Sequence, residues 1–511
     1  MTNPAFPGRD PSAWPIPDLT TRLTAADRYH VAVVGAGIGG LSAAAVLAQR
    51  GLKVLVIEAH DRPGGYCTSW GRLIRGVDGS RRRFVFDAGV QDISGLGPKG
   101  AIRRLLSQLG VEGRIAWRRV LHRYLQDGSC LDFPENPAQL IEILCERFPD
   151  EAHGIRGFLT EIGAVHRDLY AGLDETKRLP PPRTTDAIDA WRARFPHAGR
   201  WMDRPYGDML ASFFSNSALK HLLTSIADYL TDQPECLNVG EMAPLFSYYF
   251  EGGFYPVGGS QRLANVLRSS ITDNGGSVLL RTRVMRILVE DGRAAGVVTP
   301  RATYYAPVVI ANADAVTTLM NLMDPYPLPK RYIQRVGALR RGPSAILVNL
   351  ALDFVPDVPA RVFFRDAELR FGVGNPSSID STLAPSGCAA LTLLCLVSEL
   401  EAAPWFELDK HSYRLAKEAF ADRLIAATET IVPDLTRHIL YRETAAPPTF
   451  TRYTGALKGN IYGAARGQWC PHVKSPVPGL MLVGAGCQNG PGIEAAAISG
   501  MMVADLIAPL P

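Results

Sequence analysis

The chain has 511 residues, with 54 Lys+Arg against 50 Asp+Glu for a formal net charge of +4, and is 47% hydrophobic but only 20% charged. That composition excludes general disorder, and so balanced a charge lacks the basic excess of a nucleic-acid binder. Eight cysteines without a Cys-x-x-Cys pair speak against a zinc ribbon or a disulfide framework and fit a reducing, cytoplasmic setting.

Residues 1–28 are rich in Pro and charge without an apolar run, and read as an N-terminal extension rather than a secretory signal. The segment 29–34 (YHVAVV) is a β-branched run stopped by glycine, which predicts a buried parallel strand. An Ala/Leu-rich helix follows through Arg50, then a second strand at 53–58 (KVLVIE). The apolar stretch 31–48 is long enough to resemble a membrane span, but Gly35, Gly37, Gly39 and Gly40 within it have a better explanation.

Gly35-x-Gly37-x-x-Gly40, between strand and helix, is a dinucleotide-binding fingerprint. It gives a tight turn, a close approach of backbone to a pyrophosphate, and packing of helix on strand, with the helix N-terminus aimed at the phosphates. Glu58, at the end of the second strand, is placed to hold both ribose hydroxyls and would repel a 2′-phosphate. Arg62-Pro-Gly64-Gly65 and Phe86-Asp-Ala-Gly89 come next, and the Arg81–Arg83 run reads as a loop face before a buried strand.

From 102 to 250 the pattern turns helical. Strands return over 277–310 with a hairpin at Asp291-Gly292, and 345–352 and 389–397 are apolar runs of buried-strand length. A last strand, at 480–483, leads through a glycine-rich turn at 484–492 into a helix reaching Ile507.

Taken together, the 35–40, 58–65 and 86–89 motifs, GLMLVGAG (479–486) and GPGIEAAAISG (490–500) resemble the FAD-dependent amine-oxidoreductase superfamily. Within it, the chain looks most like the branch of phytoene desaturases, carotenoid isomerases and retinol saturases. Further likenesses lie at 252–263, 311–314, 378–387 and 459–463. The resemblance implies an α/β fold with a discontinuous Rossmann-type FAD-binding domain (29–100, 252–318 and 455–507). An interleaved α+β substrate domain with a helical portion would take 101–251 and 319–454.

It also implies roles. Gly35, Ala36, Gly37, Ile38 and Gly40 would cradle the pyrophosphate, and Glu58 and Ala59 the adenosine ribose. Arg62, Gly64 and Gly65 would line the cofactor, and Val284 would meet the adenine through its backbone. Gly89, Val90 and Gln91 would lie near the isoalloxazine, Gly486 near the pyrophosphate and ribityl chain, and Gly492 and Ile493 at the flavin edge. A helix N-terminus there favours electron acceptance by stabilising the reduced ring.

Gly492 stands where amine oxidases carry an aromatic cage wall, which opens space for a longer substrate, whereas Glu494 resembles an acid that amine oxidases carry. The missing wall alters the substrate site directly and weighs more. The expected function is desaturation, saturation or cis–trans isomerisation of a long apolar isoprenoid or polyene. A flavin amine or amino-acid oxidase is the first alternative, and a non-catalytic prenyl-binding protein of the same fold the second.

No catalytic acid or base and no metal site is legible. The ten histidines are scattered, Lys458 and Glu494 read as packing or ion-pairing residues near the flavin, and Cys67 or Cys470 as a covalent tether lacks the spacing of tethered families. Residues 177–204 carry seven basic residues against three Asp, with Trp191, Phe195 and Trp201 interleaved. That mixture suits either a membrane-contacting patch over a substrate entrance or a helical lid with its aromatics turned inward.

Overall fold

The computed structural model describes residues 28–508 apart from 77–78, 127, 177–184 and 324–327. The first strand, β1 (Val31–Val34), runs into helix α1 (Ile38–Gln49), which ends before Gly51 at φ +82°, and strand β2 (Val54–Ile57) follows. Three later strands complete the sheet: β3 (Ser277–Leu279), β4 (Val308–Ala311) and β5 (Leu480–Leu482), the last leading into helix α2 (Ile493–Ile507). The spatial order is β5-β4-β1-β2-β3 and every pairing is parallel. The five strands come from three separate stretches of the chain, 31–57, 277–311 and 480–482. The order changes direction at β1, so a crevice opens at the carboxyl ends of β1 and β4, where such sheets bind ligands.

Helix α1 is buried along all of 38–48, because α2 and the helix Gln261–Asp273 pack against it on the sheet. This burial explains the continuous apolar run: a helix hydrophobic all round belongs to an interior as readily as to a bilayer. Among the described residues, no helix is long and apolar enough to cross a membrane.

A second sheet has seven strands, in the order Ile439–Ala445, Ser344–Leu352, Ala389–Val397, Arg370–Gly374, Arg361–Arg365, His122–Gln126 and Ser129–Asp132. The apolar runs near 345 and 389 are its second and third strands, in register from Ser344 opposite Val397 to Leu352 opposite Ala389. The hairpin at Asp291-Gly292 forms as expected, with positive φ at both turn residues (49° and 74°) as a type I′ turn requires.

Two expectations are corrected. The region 102–250 is not helical throughout: Trp117–Val120 pairs with Gly253–Pro256, and His122–Gln126 pairs in parallel with Arg361–Arg365. Arg81, Arg82 and Arg83 are strand, paired with 73–75, because only the inner half of Arg81–Asp87 is buried and the outer half can carry charge.

In the 177–204 segment, Lys177, Arg178 and Arg183 lie outside the described residues. The aromatic residues are packed inward: Trp191, Phe195 and Trp201 are only 5–6% exposed. Trp201 Nε1 donates to Glu161 Oε1 at 2.8 Å, and Arg192 pairs with Asp203 at 2.6 Å. The rings that a membrane patch would insert are therefore part of the core, in keeping with the lid.

Candidate functional site

The turn after β1 is fixed by backbone. Gly35 takes φ +94°, which L side chains rarely adopt, and its N–H donates to Ile57 O at 2.8 Å. Ala36 N–H donates to Glu58 Oε2 at 2.7 Å, so the β1–α1 turn is tied to the end of β2. A Cβ at Gly40 would lie 2.5 Å from Gly35 O, and one at Gly37 would collide with the Asn312 side chain. Ile38 opens α1, and no side chain caps that helix or places an acid in its first turn. Its amino end is thus left to a ligand.

Glu58 holds a second backbone N–H, that of His60, through Oε1 at 2.7 Å, and Ala59 between them is exposed. Thr282 N–H donates to Glu58 O at 2.8 Å, which lays the stretch containing Val284 alongside. Gly64 N–H donates to Ala36 O at 2.7 Å, and a Cβ on Gly65 would lie 3.4 Å from Gly37 Cα. Arg62 Nη1 donates to Ser69 O at 2.8 Å. The two glycine motifs therefore share one ledge.

Asp87 locks this ledge to the 252–263 motif. It is buried and accepts from Ser260 N–H (3.0 Å) and Ser260 Oγ (2.7 Å), and from the hydroxyls of Ser69 and Tyr255. Burial pushes its carboxyl above the ordinary Asp range even though these donors pull the other way. Asp87→Ala would strand several interior donors. It should lower the unfolding free energy by about 3 kcal/mol, read as a denaturant midpoint; a loss under about 1 kcal/mol would remove Asp87 as the joint between the motifs.

Of the remaining predicted residues, Gly89 and Gln91 lie against the second sheet, the latter beside Gly374. Gly89 lies near Leu394, 3.7 Å from a Cβ on the glycine, and Val90 beside it is half-buried. Gln91 is buried, and neither amide atom has a partner. Gly486 packs on Ala315, 2.9 Å from Cβ to Cβ were it substituted. Gly492, with φ +100°, is exposed although Pro491 and Glu494 are buried, and no atom lies within 4 Å of where its Cβ would be. It begins α2, whose first residue is Ile493, and no side chain caps that end. Glu494 instead turns to the 94–101 loop, accepting from Ser94 Oγ at 2.7 Å and Ala101 N–H at 3.2 Å, with burial raising its pKa.

Two features of this region escaped the sequence reading. Asn312 accepts from Gly40 N–H at 3.0 Å; its motif at 311–314 was visible, its role was not. The second is a buried polar cluster. His122 Nε2 lies 2.7 Å from Asp92 Oδ2, Tyr229 OH donates to Asp92 Oδ1 at 2.5 Å, and Arg361 Nε donates to Tyr229 OH at 3.1 Å. His122 is thus isolated in sequence but not in space. Lys458 pairs with Glu399 at 3.1 Å, and Cys67 is a buried thiol donating to Ser260 O. Among the described residues no cysteine forms a disulfide, and no acid, His or Cys cluster could hold a metal.

These features fit a bound FAD: two uncapped helix N-termini, a ledge where side chains would collide, and a carboxylate at the end of β2. Comparison with known proteins agrees. The profile of the flavin containing amine oxidoreductase family matches residues 38–508. A chloroplastic prolycopene isomerase of an Oncidium hybrid cultivar is 26% identical over 95% of this chain and 85% of its own length. The all-trans-retinol 13,14-reductase of Danio rerio is 27% identical over 85% of this chain and 77% of its own. Among solved structures, an oxidoreductase from Methanosarcina mazei superposes with a TM-score of 0.66 at 20% identity, covering 93% of this chain and 99% of that one.

Proposed function

The chain belongs to the flavin-containing amine oxidoreductase family, and from that premise we propose that this FAD-dependent oxidoreductase acts on a long apolar isoprenoid or polyene. The reaction would be a desaturation, saturation or cis–trans isomerisation at a double bond of the chain. The single observation that carries this reading is the open wall at Gly492, with no atom within 4 Å of a would-be Cβ. The relatives named as acting on prolycopene and retinol support it.

Bound FAD would supply hydride exchange at its ring. On our assignment, Gly35, Ala36, Gly37 and Gly40 hold the pyrophosphate at the amino end of α1, and Glu58 takes the ribose hydroxyls. Arg62, Gly64, Gly65 and the Val284 backbone complete the adenosine side. The Ile493 N–H, at the positive end of α2, stabilises negative charge on the reduced ring. Gly89, Val90, Gln91 and Gly486 lie along the remaining length.

Glu494 was the residue that favoured an amine oxidase. Its carboxylate is engaged by Ser94 and Ala101, so it braces the start of α2 instead of forming an amine cage. The test is direct. The flavin-loaded protein, its flavin oxidised in one assay and chemically reduced in another, is given a cis-polyene or a retinoid without air. Chromatography should show a product with two hydrogens fewer (oxidised flavin), two hydrogens more (reduced flavin), or an isomer. Peroxide production from simple amines, with polyenes untouched, would overturn the proposal.

A further inference from the structure

Glu494 is the acid in the first turn of α2, and it is 7% exposed. Its carboxyl is held by neutral donors: Ser94 Oγ at 2.7 Å, Ala101 N–H at 3.2 Å and the Tyr170 hydroxyl. The loop beneath is shaped to admit it, since a Cβ on Gly95 would collide with Glu494 Oε1. A second acid, Glu251, presses on the same loop at Gly97, and its Oε2 is buried with no hydrogen-bond partner among the described residues.

The other titratable groups around this pair do not neutralise Glu494. The helix Ala152–Thr176 brings Tyr170 and His166, whose rings lie 4.4 Å apart, and burial pushes the His166 imidazole down to about 4, which leaves it neutral. Tyr248 bears on Ser94 and Glu494, while the cations Lys99 and Arg103 act on Glu251. Helix α1, which packs along α2, has no titratable side chain. Burial raises both carboxyls above the ordinary Glu range, and the charge of Glu494 raises Glu251 further.

A buried carboxylate without a cation takes up a proton when another negative charge appears beside it. On our assignment that charge appears at the Ile493 N–H, one residue and about 3.8 Å of backbone from Glu494. We propose that Glu494 is the redox-linked proton acceptor of the flavin site, its carboxylate binding one proton from solvent when the ring is reduced and releasing it on reoxidation. The charges balance: a hydride brings two electrons and one proton to the ring, a net charge of minus one, and the proton on Glu494 offsets it. The proposal rests on the placement of Ile493 against the ring and is independent of the substrate.

The test is the reduction potential of the bound flavin between about pH 5 and 9, in wild type, Glu494→Gln and Glu251→Gln. One proton coupled to two electrons adds about 30 mV per pH unit. Wild type should show a stretch steeper than Glu494→Gln by that amount, and Glu251→Gln should keep it. Across that stretch, the infrared difference between reduced and oxidised protein should gain the C=O band of a protonated carboxyl in wild type and not in Glu494→Gln. Where the glutamine variant fails to hold flavin, Ser94→Ala serves: with one donor to the carboxylate gone, the steep stretch should move to higher pH, and an unmoved stretch would overturn the proposal. Parallel lines with a constant offset would mean that Glu494 stays charged, which overturns the proton uptake and leaves the placement standing. Coincident lines, or a steep stretch lost in Glu251→Gln, would also overturn it. Ile493→Pro tests the placement separately, because proline at the first helical position removes only the N–H; an unchanged potential there would mean that α2 does not face the ring.

Discussion

Glu58→Ala should weaken FAD binding by about 1.5–3 kcal/mol, some 10- to 150-fold, the range for hydrogen bonds to a charged group. Wild type should purify yellow with about one FAD per chain, by the one-site logic of the β1–α1–β2 unit. Two effects act in the same direction. On the proposed assignment, the carboxylate at the end of β2 would accept from both ribose hydroxyls. It also holds Ala36 N–H and His60 N–H at 2.7 Å each, so its loss loosens the turn that presents the backbone to the pyrophosphate. Glu58→Gln separates the two effects, because it keeps an acceptor for one N–H but removes the charge. Equilibrium titration of the apoprotein with FAD reads the result, and unchanged affinity in the alanine variant would end the ribose assignment.

What the sequence revealed was local, and for a physical reason. The strand–turn–helix units at 31–49 and 480–507 each combine an apolar run, a glycine turn and a helix within a few dozen residues. The hairpin at Asp291-Gly292 is similarly self-contained. By contrast, Trp117–Val120 and His122–Gln126 become strands only because partners at 253–256 and 361–365 meet them. Nothing within 117–126 announces those pairings.

The Asp92–His122–Tyr229–Arg361 cluster is harder still to see. Its members come from four separate segments, and the fold alone brings the four together. A single clue was available: Arg361 and Arg365 bracket Val-Phe-Phe in a strand whose first four residues are buried. A buried cation is expensive unless it is paired or has a task. The aromatics of 191–201 left two readings open in sequence, since basic neighbours at the helix surface stand beside rings that face inward.

Gly492→Tyr should abolish turnover of an extended apolar substrate while flavin stays bound. A polyene bond must lie flat within roughly 3–3.5 Å of the reacting flavin atom for a near-attack geometry, and a ring at 492 would fill the open space beside it. The structure adds a cost that space alone does not predict. Gly492 takes φ +100° and ψ 154°, so any L side chain there brings about 1–3 kcal/mol of backbone strain.

Gly492→Ala carries the same strain without the ring. Both variants should therefore lose a similar amount of thermal stability, while alanine keeps most of the wild-type turnover and tyrosine keeps none. FAD content should hold in both, because the assigned contact at Ile493 is made by its backbone N–H. Were alanine as inactive as tyrosine, with flavin retained, glycine would be needed at 492 for the conformation of the helix start. Were tyrosine fully active, the substrate would not pass this wall at all, and the open face would have no bearing on what the enzyme binds.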